Sequence, residues 1–480
     1  MSKEESRIAL KRVIGTYSAF SMGYADIGAD IYIAIGLIAF YAGSAAPLAF
    51  LLASITYIIT GLCYAELASK YPVAGGAQFF SMKAFGNFHG FLAGWGLMLD
   101  YTICIALFSL ASVGYLSFIV QILFGTNILL QSPYYGLMSI ILILGLMILN
   151  IIGIRWSSNF NVIFVTISLI TITVFLLFGL PTIVINGGIE RWIVDLGSIG
   201  INPSWDNFLY ATSLAMVSYI GIESISQAAE ETKNPAKVIP KATKWTIISI
   251  VIFTISVSLL SVTLLPPSFI GAHSQNPLIS IASTLPFIGG MFPIWIAFVG
   301  FAACYVSTNT GVIGVSRVTF SMGRLRLFPS SFAKLHSKFY TPYVTIILFS
   351  LIASLLIFIN TSLKSIDLLS LIASLYNFGA LISYMYVNLS TIALRFKDNS
   401  ERAWKVPLNI TIKRGGQKYF LPILPFFGFI SCLLIWLIVV GTHEVGRLLA
   451  FLYLRFGYAT AMAWVLGSVL IGFTILQLRI

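Results

Sequence analysis

Charge is what this sequence has least of. Asp and Glu number 16 and Lys and Arg 28 among 480 residues, 9% in all, where a soluble domain carries about 25%. With 58% hydrophobic residues, the chain cannot cover a water-facing surface, so lipid must be its solvent. Long polar connections are also missing, which excludes an appended soluble domain. Cysteine is scarce: Cys63, Cys104, Cys304 and Cys432 each fall in a hydrophobic segment without metal-ligand spacing. They read as small core hydrophobes and say nothing of redox compartment. Histidine is equally sparse. His89, His273, His336 and His443 are scattered over loops and span ends, and no His-Glu-x-x-His helix exists, so metal-dependent hydrolysis has no motif to rest on. No metal site and no cofactor are expected.

The bases that are present are unevenly placed. A net charge of +12 invites a nucleic-acid surface. With the N-terminus taken as cytoplasmic, however, 24 of the 28 Lys and Arg fall on the inner side. Only Arg191, Lys364, Arg447 and Arg455 fall outside. This is the positive-inside bias of a polytopic membrane protein. The basic excess sets topology and favours an anionic leaflet, and no nucleic-acid partner is expected. The polar stretch 1–12 leads directly into an apolar run and reads as a retained signal anchor. Both termini are expected in the cytoplasm of a protein of the cell (plasma) membrane.

A span needs roughly 20 apolar residues, and such stretches number twelve. They lie near 13–40, 45–66, 91–124, 136–152, 162–184, 208–229, 245–265, 292–320, 344–359, 366–394, 420–440 and 458–478. The first and the sixth look broken. The first carries Asp26-Ile27-Gly28-Ala29-Asp30-Ile31 at mid-span, and the sixth carries Val217-Ser218-Tyr219-Ile220-Gly221-Ile222-Glu223. Each combines glycine with carboxylate, and five spans separate equivalent features. Matched interruptions in two halves point to an inverted-repeat transporter with its site at the bilayer midplane. An unwound turn frees backbone groups that hydrocarbon cannot satisfy. It persists where a substrate, an ion or water supplies partners, and a zwitterionic amino acid suits both ends of such a break.

At these residues the chain resembles the amino acid–polyamine–organocation superfamily of permeases. Ser218 to Ser224 followed by Ala228-Ala229-Glu230-Glu231-Thr232-Lys233-Asn234-Pro235 is similar to that family's best-known signature. Tyr64-Ala65-Glu66-Leu67 with Tyr71-Pro72 and Gly75-Gly76 is similar to its cytoplasmic turn. Leu327-Phe328-Pro329 and Trp404-Lys405-Val406-Pro407 resemble later motifs in the right order. The resemblance implies an all-α membrane protein of twelve transmembrane helices with a leucine-transporter-like, five-plus-five inverted repeat. The expected organisation is a cytoplasmic N-terminus (1–12), repeats at 13–184 and 204–395, a cytoplasmic loop at 396–419, and two peripheral helices at 420–480. Substrate would sit between the two breaks, with the third, eighth and tenth spans as walls. Two departures stand out. Asp30 occupies a position that is commonly glycine in the family, and Ser168 stands in the fifth span where many proton-coupled members have lysine.

The intramembrane acids carry the chemistry. Asp26, Asp30, Asp100 and Glu223 lie well inside spans, and each costs on the order of 3 kcal/mol on insertion scales. No Lys or Arg lies mid-span in the first ten spans, so these acids are either protonated or hold a cation. Asp26 and Asp30 are four apart, on one face of a continuous helix, where mutual repulsion favours an unwound turn, a shared proton or a bound cation. Asp30, Glu223 and Asp100 are the candidates for proton or ion coupling. Asp26, Ile27, Gly28, Ala29, Asp30, Ile31, Val217, Ser218, Ile220 and Gly221 are the candidates for substrate binding. Tyr219 and Glu66 are candidate gates, Glu66 within a cytoplasmic network with Lys70 or Lys83. Ser307, Thr308 and Thr310 offer hydroxyls for a sodium ion, or bond to their own helix. Tyr376 is a second candidate cap.

Paired aspartates on one helix do not face each other as an aspartic-protease dyad must, so no enzyme is expected. The leading reading is a transporter of amino acids by alternating access, with proton-coupled import. Its partners are a small amine-bearing solute, a coupling proton or sodium ion, and the bilayer. An amine or polyamine carrier or exchanger is the alternative, and a membrane sensor or channel on the same scaffold is the reading from another class.

Overall fold

In hydrocarbon, backbone amides must pair within their own segment, so each apolar run should coil into helix. A computed structural model of the chain shows this. It describes residues 12–441 apart from 13, 74, 153–156, 363–367, 399 and 415–416. The expected twelfth span and most of the polar N-terminus lie outside the described residues, as do Arg155, Lys364, Arg447, Arg455 and Arg479.

The first expected span is split into α1 (Thr16–Ile27) and α2 (Ala34–Ala42), and α3 (Ala46–Lys70) fills the second. After a short α4 (Ala77–Phe85) come α5 (Asn87–Phe124), α6 (Tyr134–Ile152) and α7 (Ser157–Ile185). A surface helix α8 (Gly188–Leu196) leads to the sixth span, split into α9 (Trp205–Ala215) and α10 (Glu223–Gln227). Ser204 caps α9 by accepting from the Asn207 amide at 3.3 Å. The long α11 (Pro235–Leu264) is followed by two short helices, α12 (Pro267–Ala272) and α13 (Pro277–Ala282). Then come α14 (Phe292–Arg324), α15 (Tyr343–Ser362), α16 (Leu368–Lys397) and α17 (Ile423–Gly441). Among the described residues, seven helices are long and apolar enough to cross a membrane by length and composition. The chain is a multi-pass helical membrane protein.

One element corrects the all-α expectation. Between α16 and α17, β1 (Asn409–Arg414) pairs antiparallel with β2 (Gln417–Pro422). Ile410-Thr411-Ile412 is β-branched, and Gly415-Gly416 separates the two runs by two residues, the composition of a tight hairpin. The short helices α4, α8, α12 and α13 likewise occupy segments that hydropathy reads only as connections.

Helices α5 and α16 cross closely. A Cβ on Gly96 would lie 2.7 Å from the Gly379 carbonyl oxygen. A Cβ on Gly379 would lie 2.8 Å from the Gly96 oxygen and 2.9 Å from the Asp100 amide. Backbone meets backbone here because neither residue has a side chain, the usual device where lipid gives helices no hydrophobic reason to associate. The crossing also sets the depth of Asp100. Gly379→Leu should force the helices apart at a cost of about 1–3 kcal/mol. The expected result is a lower thermal unfolding midpoint in detergent, with a smaller drop for Gly379→Ala. An unchanged midpoint for the leucine variant contradicts the tight crossing.

Candidate functional site

The two interruptions differ in kind. In the first span the backbone tightens rather than unwinds. Gly28 and Ala29 keep right-handed helical dihedrals, and Asp30–Tyr32 forms a 3-10 turn with Tyr32 N–H donating to Ala29 O and Ile33 N–H to Asp30 O, both at 3.1 Å. This corrects the expectation of an unwound turn here: i→i+3 bonds satisfy the backbone locally, which hydrocarbon demands. The sixth span does open. After a 3-10 turn at Met216–Tyr219, Ile220 is extended and Gly221 takes φ +122°. The Gly221 N–H leaves the helix ladder and donates to Glu223 Oε2 and the Tyr384 hydroxyl, each at 3.2 Å. A Cβ on Gly221 would also lie 2.8 Å from Asp26 Cβ and Cγ. Glycine therefore serves both the backbone conformation and the contact between the two breaks.

Asp26, Asp30, Asp100 and Glu223 are each 0% exposed, so the structure is closed over them from both sides. They converge from three spans. Asp26 Oδ2 accepts from Ser224 Oγ across the break at 2.5 Å. Glu223 Oε2 accepts from Tyr384 at 2.8 Å. Asp26 Oδ1, both oxygens of Asp30, both oxygens of Asp100 and Glu223 Oε1 meet no donor among the described residues. No Lys or Arg among the described residues bonds to any of the four.

The remaining candidates surround this cluster unevenly. Ile27, Ala29, Ile31, Val217, Ser218 and Ile220 are all buried. Ser307 Oγ donates to the Asp26 carbonyl at 3.3 Å, joining α14 to the first break. Thr308 and Thr310 instead donate to Cys304 O and Val306 O in their own helix. Tyr219 donates to Phe50 O at 3.0 Å and stacks on Tyr57 at 5.1 Å, which anchors it to α3. Tyr376 lies edge-on to Phe108, within electrostatic reach of Asp100, Asp30 and Asp26.

Sequence reasoning passed over Tyr384, whose hydroxyl ties Glu223 to the opened backbone. The signal was present: Asn377, Tyr384, Asn388 and Thr391 fall on one face of α16. It also passed over the inner end of the cluster, where Gln227 donates to the Tyr101 hydroxyl at 2.6 Å and Tyr101 meets Ser224 at 3.4 Å.

Glu66 is engaged differently from the expectation. Its carboxylate, 0% exposed, takes a bidentate pair from Arg395 at 2.8 and 2.5 Å. Arg402 Nε lies 3.2 Å away, and the Val406 amide donates at 2.7 Å. Lys70 reaches Ser400 and, at 2.8 Å, Glu401 O, while Lys83 sits over the Tyr71 ring. The arginine fork matches a carboxylate in a way a lysine ammonium does not. Beside this clasp, hydrogen bonds from Ser400 and Tyr71 hold the Asp398 carboxyl well below the usual range.

The amino acid permease family matches residues 14–474. The branched-chain amino acid permease BcaP of Bacillus subtilis (strain 168) is 27% identical over 471 residues, covering 93% of this chain and 94% of that protein. The low-affinity putrescine importer PlaP of Escherichia coli (strain K12) is 26% identical over 437 residues, 87% of each chain. The structure of MhsT in complex with L-phenylalanine superposes with a TM-score of 0.61 at 11% identity, over 89% of this chain and 99% of that one. That likeness shows the fold, which is leucine-transporter-like. With a family match over nearly its whole length and relatives that are transporters, the chain belongs to the amino acid permease family of the amino acid–polyamine–organocation superfamily.

Proposed function

We propose that the chain is a secondary active transporter that imports an amino acid with protons by alternating access. It would work through repeats at 13–184 and 204–395, with both termini in the cytoplasm. The observation that carries this reading is the convergence of four fully buried carboxyls on the two broken spans, with no fixed cation among the described residues. Such a cluster is neutralised by protons or by a positively charged guest, and exchange between the two is the chemistry of coupling. Substrate contacts fall to residues 26–31 and to Val217, Ser218, Ile220 and Gly221. Asp30, Asp100 and Glu223 exchange the protons. Sodium is the competing ion, with Ser307 beside the Asp26 carbonyl in support.

A second reading, a carrier of cationic amines, is favoured by Asp30, whose two oxygens meet no donor in the protein. An ionised carboxylate there attracts an ammonium by a few kcal/mol at intermediate dielectric. The test is Asp30→Asn in proteoliposomes given an acid-outside pulse and radiolabelled amino acids or diamines. Under the first reading, accumulation driven by the pH gradient is lost while exchange survives. Under the second, diamine affinity falls by about tenfold or more, the equivalent of 1.4 kcal/mol, and neutral amino acids are spared. Unchanged affinity, selectivity and pH dependence would remove Asp30 from both.

Glu66 with Arg395 and Arg402 is the proposed inner closure, and Tyr219 against α3 the outer one. Glu66→Gln leaves two buried guanidiniums without their anion, a loss of about 3–5 kcal/mol. The unfolding midpoint in detergent should fall sharply, and the surviving folded protein should label faster at an engineered cytoplasmic cysteine. A midpoint within error of wild type would show that the clasp bears no load in the closed state.

A further inference from the structure

The hairpin between α16 and α17 has two unlike faces. By register, Ile410 opposes Leu421, Ile412 opposes Tyr419 and Arg414 opposes Gln417 on one face. Asn409 opposes Pro422, Thr411 opposes Phe420 and Lys413 opposes Lys418 on the other. The second face is turned to the protein at its base: Asn409 accepts from Arg395 and donates to Val406 O, and Pro422 is buried. The first face carries Ile410, 51% exposed, with Leu408, just before β1, 63% exposed; beyond the base, Thr411 and Phe420 of the second face are exposed as well. Leu408 is also held at φ +57°, a conformation that a leucine rarely adopts.

Three features say what covers this face. First, Ile423 N–H donates to Leu408 O at 3.0 Å, so the ladder runs into the first turn of the apolar helix α17 with no linker; if α17 enters the bilayer, the hairpin base lies at its surface. The apolar surface then continues along α17 through Phe426 and Phe427, both more than half exposed. Second, no Asp or Glu occurs between Glu401 and Glu444, while Lys405, Lys413, Arg414 and Lys418 fall in that stretch. Third, Lys413 directly opposite Lys418 is a like-charge pair that weakens an isolated hairpin, and a two-stranded hairpin is marginal in water to begin with.

We propose that the hairpin is a membrane-surface anchor, with its apolar face in the headgroup region and its basic end on anionic phospholipid headgroups. The placement at the inner leaflet rests on the transporter topology proposed above. Arg395 joins the hairpin to Glu66 by donating to Asn409 and to Phe420 O, so the anchor holds the cytoplasmic clasp against the bilayer.

The test uses full-length protein carrying Ile410→Cys, labelled with an environment-sensitive thiol fluorophore. Cys63, Cys104, Cys304 and Cys432 are all buried, which leaves position 410 as the reactive site. The protein is reconstituted into vesicles of phosphatidylcholine alone or mixed with phosphatidylglycerol, and quenching by acrylamide and by nitroxide lipids is read. Expected are several-fold less acrylamide quenching and more nitroxide quenching in anionic vesicles. The variant K413Q/R414Q/K418Q should lose that preference by about fivefold per charge removed. Leu408→Cys repeats the measurement if the first variant fails to fold. Equal quenching in both vesicles overturns the proposal, as does concentration-dependent crosslinking between two labelled copies, which would make a second chain the occupant. The readout needs no transport, so it stands apart from the fate of the transport reading.

Discussion

A carboxyl group placed among helices that lipid solvates must find a proton, a cation or donors, and much of this structure is arranged around four that have incomplete protein partners. At about 3 kcal/mol each on insertion scales, their combined cost is comparable to the 5–15 kcal/mol by which folded proteins are stable. The offsets are specific. Ser224 donates to Asp26, and Tyr384 donates to Glu223. Two glycine contacts make these possible: Gly221 lets the sixth span touch Asp26, and the Gly96–Gly379 crossing brings Asp100 inward. What remains unsatisfied, Asp30 and Asp100 above all, marks where a cationic guest or a proton has most to gain.

Glu66 shows the opposite solution for the same chemical group. It is equally buried, but two arginines and a backbone amide satisfy it. Buried ion pairs are weak evidence of net stability and costly to break from one side. Arg395 and Arg402 approach Glu66 from the end of α16 and the segment beyond it, so the pair joins parts of the chain that must separate if the inner side opens. The two kinds of carboxyl differ in their partners: those of the core lack a fixed cation among the described residues, whereas Glu66 is paired with two arginines.

The hairpin extends that clasp to the bilayer. Asn409 and Phe420 both accept from Arg395, while Leu408 and Ile410 face outward. The hairpin and the Glu66 ion pair are thereby linked through one guanidinium.

The sequence by itself determined the multi-pass membrane class, the helical form of the apolar runs within the described residues and the presence of interruptions in the first and sixth of them. These follow from hydropathy and composition, which add up along the chain and need no knowledge of neighbours. The hairpin was equally local, in Ile410-Thr411-Ile412 and Gly415-Gly416, and a helical reading of the whole chain hid it. Tyr384 was half legible, as part of a polar face on α16 without a stated partner. Only the tertiary structure decided that Glu66 meets Arg395, 329 residues away, rather than nearby Lys70, that Ser224 meets Asp26, and that the first break tightens while the sixth opens. Hydrogen bonds between distant segments depend on helix crossings and side-chain reach, set by packing across the whole bundle, and no window of sequence contains both ends of such a bond.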